Sequence, residues 1–187
     1  MGNGFGQGVL ISDTEVLTAY HVVQGSGSIR AIIPAAAGEP EEARIASLRG
    51  FSSGLDIALL IIAPFSRGEI DFAGLPPTNT GNCAGGLDAV SNGSLVVLET
   101  TGDDDSNVDV FRVWGRRSIG VGGSNFETDI PGTAGLSGSP LYGEGGRTVV
   151  GIVVQKNTAL SNIEPLIAVD GCAVASRLPD LRGGAKE

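Results

Sequence analysis

Gly135-Leu136-Ser137-Gly138-Ser139-Pro140 sets a serine between glycines in a turn that leads on to the apolar stretch Thr148–Val154. A serine hydroxyl is a poor nucleophile. To do covalent chemistry it needs a base, an orienting acid and donors for a developing oxyanion. The chain has one histidine, His21, inside Val16-Leu17-Thr18-Ala19-Tyr20-His21-Val22-Val23. Asp56 opens the apolar run Asp56-Ile57-Ala58-Leu59-Leu60. Each feature alone has a plain structural explanation: a packed core histidine, a turn aspartate, a turn serine. Together, and in this order, they have the makings of a nucleophilic triad.

The order discriminates between unrelated triad architectures. An α/β-hydrolase runs serine, acid, histidine, and carries its serine in G-x-S-x-G. Here the only histidine precedes Ser137, and the residue two after Ser137 is Ser139. The aspartate-first order has only Asp13 to offer, and Asp13 sits in the turn Asp13-Thr14-Glu15. The order histidine, aspartate, serine is the remaining one.

Thr18-Ala19-Tyr20-His21-Val22-Val23, Leu55-Asp56-Ile57-Ala58-Leu59-Leu60 and Gly135-Leu136-Ser137-Gly138-Ser139-Pro140 resemble the three signature blocks of chymotrypsin-like serine endopeptidases. The likeness is greatest to short, disulfide-poor bacterial and viral members, the HtrA/Deg and glutamyl endopeptidase groups. Phe126-Glu127-Thr128-Asp129 and Leu166-Ile167-Ala168-Val169 also resemble HtrA-type blocks, so the resemblance runs from Gly4 to about Leu178. It implies an all-β fold of two six-stranded antiparallel Greek-key barrels with a short C-terminal helix. It also implies a triad of His21, Asp56 and Ser137, with the backbone N–H groups of Gly135 and Ser137 as the oxyanion hole. The primary pocket would lie between Pro131–Ala134 (with Thr133 and Ala134 lining it) and Val154-Gln155-Lys156, with its base at Ala168. The position of the trypsin aspartate falls near Pro131, and the second histidine of glutamyl endopeptidases is missing. A small or medium apolar side chain is therefore the expected preference. Val153–Gln155 would pair with the substrate backbone as an added strand. Leu136 stands where digestive proteases have the aspartate that captures a new N-terminal amine, so no activation by trimming is expected.

Composition agrees with a packed β-rich fold. Of 187 residues, 41% are hydrophobic and 18% charged, which argues against disorder. Thirty glycines and nine prolines suit short strands joined by tight turns. The first half reads as strands over Gly6–Ser12, Val16–Thr18, Ile29–Pro34, Ala43–Leu48 and Ile57–Ala63, a barrel of about six strands. Gly74-Leu75-Pro76-Pro77-Thr78-Asn79-Thr80-Gly81 reads as a linker, dividing the chain into 1–78 and 79–187. The second half reads as strands near Leu87–Val90, Ser94–Glu99, Val108–Trp114, Arg117–Val121, Thr148–Val154 and Pro165–Val169. Asn92-Gly93 marks a hairpin. Val174, Leu178 and Leu181 give the one helical period, over Val169–Leu181.

Several function classes drop out. Gly4-x-Gly6-x-Gly8 lacks the preceding strand and following helix of a nucleotide loop. A net charge of −9, with acidic clusters at Glu39–Glu42 and Asp103–Asp105, repels nucleic acid and anionic membranes. Arg116-Arg117 is the one basic pair, expected to end a strand in solvent. No apolar run approaches the ~20 residues of a membrane helix. One histidine and the two distant cysteines Cys83 and Cys172 give no metal spacing, so no metal or cofactor is expected. Met1–Gly6 lacks the basic and apolar regions of a signal peptide. The expectations are a cytoplasmic protein, or a trimmed precursor, with two free thiols.

The expected partner is an extended segment of a protein or peptide substrate, with the oligomeric state left open. Two other readings share the residues: a catalytically silent barrel that holds a peptide or serves as a structural subunit, and an esterase for small acyl substrates. Keeping both His21 and Ser137 counts against the silent barrel, and the substrate-pairing edge counts against the esterase.

Overall fold

The computed structural model describes residues 5–34, 42–64, 72–79, 83, 89–101, 110–156 and 164–187. Five strands come first: β1 (Gly8–Leu10), β2 (Glu15–Ala19), β3 (Ile29–Ile33), β4 (Glu42–Ser52) and β5 (Ile57–Ile62). They form one antiparallel sheet in the order β1-β2-β5-β4-β3. β5 is central, with Leu59 opposite Leu17 of β2 and Leu60 opposite Leu48 of β4. A strand covered on both faces reads as a continuous apolar run, which explains Ile57–Ile62. The single turn α1 (Tyr20–Val23) follows β2, and the Tyr20 ring stacks on Phe51 at 4.0 Å between centroids.

Six further strands follow: β6 (Leu95–Thr101), β7 (Val110–Gly122), β8 (Asn125–Pro131), β9 (Pro140–Gly143), β10 (Val149–Lys156) and β11 (Pro165–Asp170). They close into a barrel in the order β10-β11-β8-β7-β6-β9. The expected all-β architecture and the second six-stranded barrel hold. Among the described residues, the first half is instead a five-stranded sheet. Past β5, the described residues make single ties and add no sixth strand. Ala73 N–H donates to the Leu10 carbonyl and Gly74 bridges to Thr148 of the second half. Pro76-Pro77 then removes two ladder donors in succession.

Other boundaries moved for local reasons. The two strands expected over Val108–Trp114 and Arg117–Val121 are one, because β7 runs on past Gly115 after leaving β6 and pairs with β8. Gly115 lies against Ile130 and Asp129 and has no room for a side chain there. Ala89–Val90, expected in a strand, is a bend, and Leu87 and Asp88 lie outside the described residues. So do the acidic runs Glu39–Glu41 and Asp103–Asp105.

The helix α2 (Gly171–Arg182) starts later than its apolar period suggested, because Val169 and Asp170 belong to β11. Asp170 caps it, accepting the Cys172 N–H at 2.8 Å. Its apolar side, Val174, Leu178 and Leu181, joins a core that draws on both halves: Leu17, Ala19, Ile57 and Leu59 with Val149, Ile152 and Val169. Beyond α2 the chain returns to the first sheet. Phe51 donates to the Ala185 carbonyl and accepts from Glu187 N–H, and Ser53 N–H donates to the Glu187 carbonyl.

Two expectations are corrected. Cys83 and Cys172 are not free thiols; they form a disulfide with Cα atoms 5.4 Å apart. Spacing along the chain cannot report such a pair, which lies 89 positions apart in sequence. Arg117 does not end a strand in solvent. It is 2% exposed, ion-paired to Asp170 at 3.4 Å, bonded to the Val90 carbonyl and held 4.5 Å over the Phe126 ring. A buried guanidinium is tolerable because its charge faces the Asp170 carboxylate and Nη1 reaches two acceptors.

Candidate active site

His21 sits on α1, directly after the buried strand β2, and Asp56 lies just before β5, the neighbour of β2 in the sheet. The register pairs Ala19 with Ile57, so the two side chains leave adjacent strands at the same end. Asp56 has φ of 53°, in the left-handed region that aspartate tolerates better than most residues. Its N–H donates to the Ser53 carbonyl and its own carbonyl accepts the Tyr20 N–H at 2.9 Å. The backbone on both sides is thus pinned before the side chain acts.

The carboxylate makes two bonds to one residue. Oδ1 accepts the His21 backbone N–H at 2.9 Å, and Oδ2 lies 2.6 Å from His21 Nδ1. A carboxylate oxygen at Nδ1 requires Nδ1 to carry the proton, which leaves Nε2 as the basic nitrogen. The side chains are 44% and 32% exposed, so the free face of the imidazole is open to a reactant. The main-chain bond also fixes the carboxylate to α1, so it keeps its place without relying on the ring.

Ser137 arrives from the other half. Gly135 and Gly138 flank it with φ of 87° and 91°, both in the left-handed region. Four bonds fix the turn. Ser139 N–H donates to the Leu136 carbonyl, Gly138 N–H to Val153, Val153 N–H back to Ser139, and Gln7 N–H to the Ser137 carbonyl. At Gly138 a Cβ would stand 1.9 Å from the Gln7 carbonyl oxygen and 2.6 Å from Thr18 Oγ1. The turn is therefore seated directly on the strand that leads to His21. A Cβ on Gly6 would stand 2.6 Å from the Val22 side chain and 2.9 Å from the Ser137 carbonyl oxygen, so no side chain fits there without displacing them.

Of the two serines in the turn, Ser139 is fully buried and its hydroxyl has no partner among the described residues. Ser137 is partly exposed. Among the described residues no hydrogen bond joins the Ser137 hydroxyl to the imidazole; such bonds often close only when substrate is bound. The Phe5 ring, 53% exposed, lies 3.4 Å from where a Gly135 side chain would start.

The residues expected to line a pocket are not all gathered. Thr133, Ala134 and Pro131 are exposed beside the turn, with Gly132 N–H bonded to the Glu164 carbonyl, and Gln155 is exposed on β10. Val154 and Ala168 are 5% and 0% exposed and belong to two different core clusters. They support the barrel and present no wall to solvent. Only the backbone of Lys156 is described, at the end of β10. Val153, expected to pair with a substrate, already spends its N–H and carbonyl on the Ser137 turn. A free edge on that side of β10 can begin only at Val154, where β10 bulges between Val153 and Gln155.

Sequence reading missed Gln7, Arg117 and Asp170. Each acts through contacts distant along the chain, and only the glycines around Gln7 hint at a tight approach. Asp129, inside a quoted block, has a local duty, accepting the Arg116 N–H at 2.6 Å.

Residues 6–152 match the family model described as a trypsin-like peptidase domain. No curated protein sequence matches the chain. Solved structures with the same fold include the serine endoprotease from Yersinia pestis, at 19% identity and TM-score 0.71, covering 95% of this chain and 57% of that one. The HtrA-type protease AlgW with decapeptide has 19% identity and TM-score 0.72, covering 97% and 53%. Deg5 has 17% identity and TM-score 0.74, covering 99% and 87%. The chain thus spans just over half the length of the first two.

Proposed function

The chain belongs to the trypsin-like peptidase family, and from that premise we propose a serine endopeptidase that uses His21, Asp56 and Ser137 as its triad. Ser137 Oγ attacks the carbonyl carbon of the scissile peptide bond as His21 Nε2 takes its proton. Asp56 holds the Nδ1–H tautomer and stabilises the imidazolium. The N–H groups of Gly135 and Ser137 receive the oxyanion, each worth about 3 kcal/mol in the transition state. The imidazolium then gives its proton to the leaving amine, leaving an acyl-enzyme on Ser137. Water, deprotonated by Nε2, releases the acid product and restores the hydroxyl.

The observation that carries this reading is the doubled bond from Asp56 to His21, at 2.6 Å to the ring and 2.9 Å to the backbone. A packing histidine would not need its acid tied to its own main chain. The test is labelling with a fluorophosphonate followed by intact mass and peptide mapping. One adduct on Ser137, absent from Ser137→Ala and strongly slowed in His21→Ala, is the expected result. No adduct on the folded wild type leaves the silent barrel as the better reading.

The substrate class is an extended protein segment held along the β10 edge from Val154 onward. Cleavage after a small or medium apolar residue is expected, since Pro131, Thr133, Ala134 and Gln155 offer no carboxylate to a cationic side chain. A peptide library reports this directly, and dominant cleavage after Arg or Lys overturns it. The Cys83–Cys172 disulfide supports an oxidising compartment over the cytoplasm that the sequence first suggested.

A further inference from the structure

We propose that Gln7 is a positioning residue for the nucleophile turn, tying Ser137 to the end of β6. The inference rests on the endopeptidase reading above and goes beyond its triad and oxyanion donors. Gln7 binds three places that are far apart in the chain. Its N–H donates to the Ser137 carbonyl at 2.7 Å. Its carbonyl accepts the Thr18 hydroxyl at 2.6 Å, three residues before His21. Its side-chain Oε1 accepts both the Thr101 hydroxyl at 2.8 Å and the Thr101 N–H at 3.3 Å.

The side chain matters because of its neighbours. Gly6 and Gly8 flank Gln7 and are the residues least able to hold a backbone in one conformation. The N–H that orients the Ser137 carbonyl therefore belongs to a segment with little stiffness of its own. The acceptor at Oε1 supplies the missing restraint by fastening the segment to Thr101. Orienting the Ser137 carbonyl sets the peptide plane between Ser137 and Gly138, and Gly138 has no clearance to adjust. Loosening Gln7 thus misplaces the Ser137 hydroxyl and N–H together. Catalysis falls while the substrate edge of β10 is untouched.

The experiment compares wild type, Gln7→Met and Gln7→Glu by fluorophosphonate labelling rate, by kcat and KM on a cleaved peptide, and by thermal unfolding. Met keeps length and volume but has no comparable acceptor; Glu keeps an acceptor oxygen for Thr101. Labelling and kcat in Gln7→Met should fall roughly ten- to a hundredfold with KM little changed, and Gln7→Glu should recover most of the loss. Thr101→Val, which removes one donor from the far side, should give a smaller fall in the same direction; Thr101→Ser should not. Equal rates in Gln7→Met and wild type overturn the proposal. So does a loss that Gln7→Glu fails to relieve, or one that only follows the fraction unfolded. If Gln7→Met does not fold, an unchanged rate in Thr101→Val overturns it. A folded wild type that takes no label removes the endopeptidase reading and this inference with it, whereas labelled wild type with indifferent variants removes this inference alone.

Discussion

Reducing the Cys83–Cys172 disulfide should cost stability in proportion to the loop it closes. The two residues lie 89 positions apart, and closing a loop of that length lowers the entropy of the unfolded chain by the equivalent of about 4.6 kcal/mol at 25 °C. The folded side changes little, because Cys172 stays fixed by its N–H bond to Asp170 and by the packing of α2 against the core. For a chain of this size the loss corresponds to a melting temperature lower by roughly 9–18 °C. The assay is urea and thermal unfolding with and without reductant, beside the double variant Cys83→Ala/Cys172→Ala. Thiol counting under denaturing, non-reducing conditions should find none. Two titratable thiols in the purified protein, or an unchanged unfolding midpoint after verified reduction, would refute the argument.

Asp56→Asn should fold normally and lose about 10⁴-fold in kcat. The amide oxygen keeps the bond to His21 N–H, but the NH2 group then faces Nδ1 and selects the wrong tautomer; a loss under tenfold on the peptide assay contradicts this. Gly138→Ala should lose at least about 2 kcal/mol and all labelling, from the left-handed φ and the collision with the Gln7 carbonyl; a wild-type urea midpoint contradicts that. Glu15 accepts a bidentate pair from Arg182, at 2.8 and 2.6 Å, which holds its carboxyl below the ordinary value of 4.5. Its contribution is therefore present above that value and lost as pH falls through the lowered one. Glu15→Gln should cost about 0.5 kcal/mol near neutral pH, since Arg182 is half exposed. Melting curves near pH 7 and pH 3 should show the gap close in acid; a gap equal at both excludes the pair as its source.

The triad candidates were legible because each sits in a short motif whose neighbours repeat the message: a buried strand before His21, an apolar strand after Asp56, glycines around Ser137. Central β5 was legible for the same reason. What escaped was decided between distant segments. β8 and β9 carry Thr128, Asp129 and Pro140, and the barrel makes them strands by pairing them with β7, β11, β10 and β6. Arg117 looked like a surface charge because its partners, Asp170 and Val90, come from elsewhere in the chain. The resemblance implies Val154 and Ala168 as pocket residues, yet barrel closure turns them inward. Gln7 is a polar residue among glycines in sequence, and a three-way junction only in space.

The last residues, 185–187, lace onto Phe51 and Ser53, and the Ser53 carbonyl in turn receives the Asp56 N–H. Residues 185–187 are therefore a guy-line for the backbone that presents Asp56. A tag or a proteolytic nick there would first blur the alignment of the imidazole, while the glycine turn kept its shape.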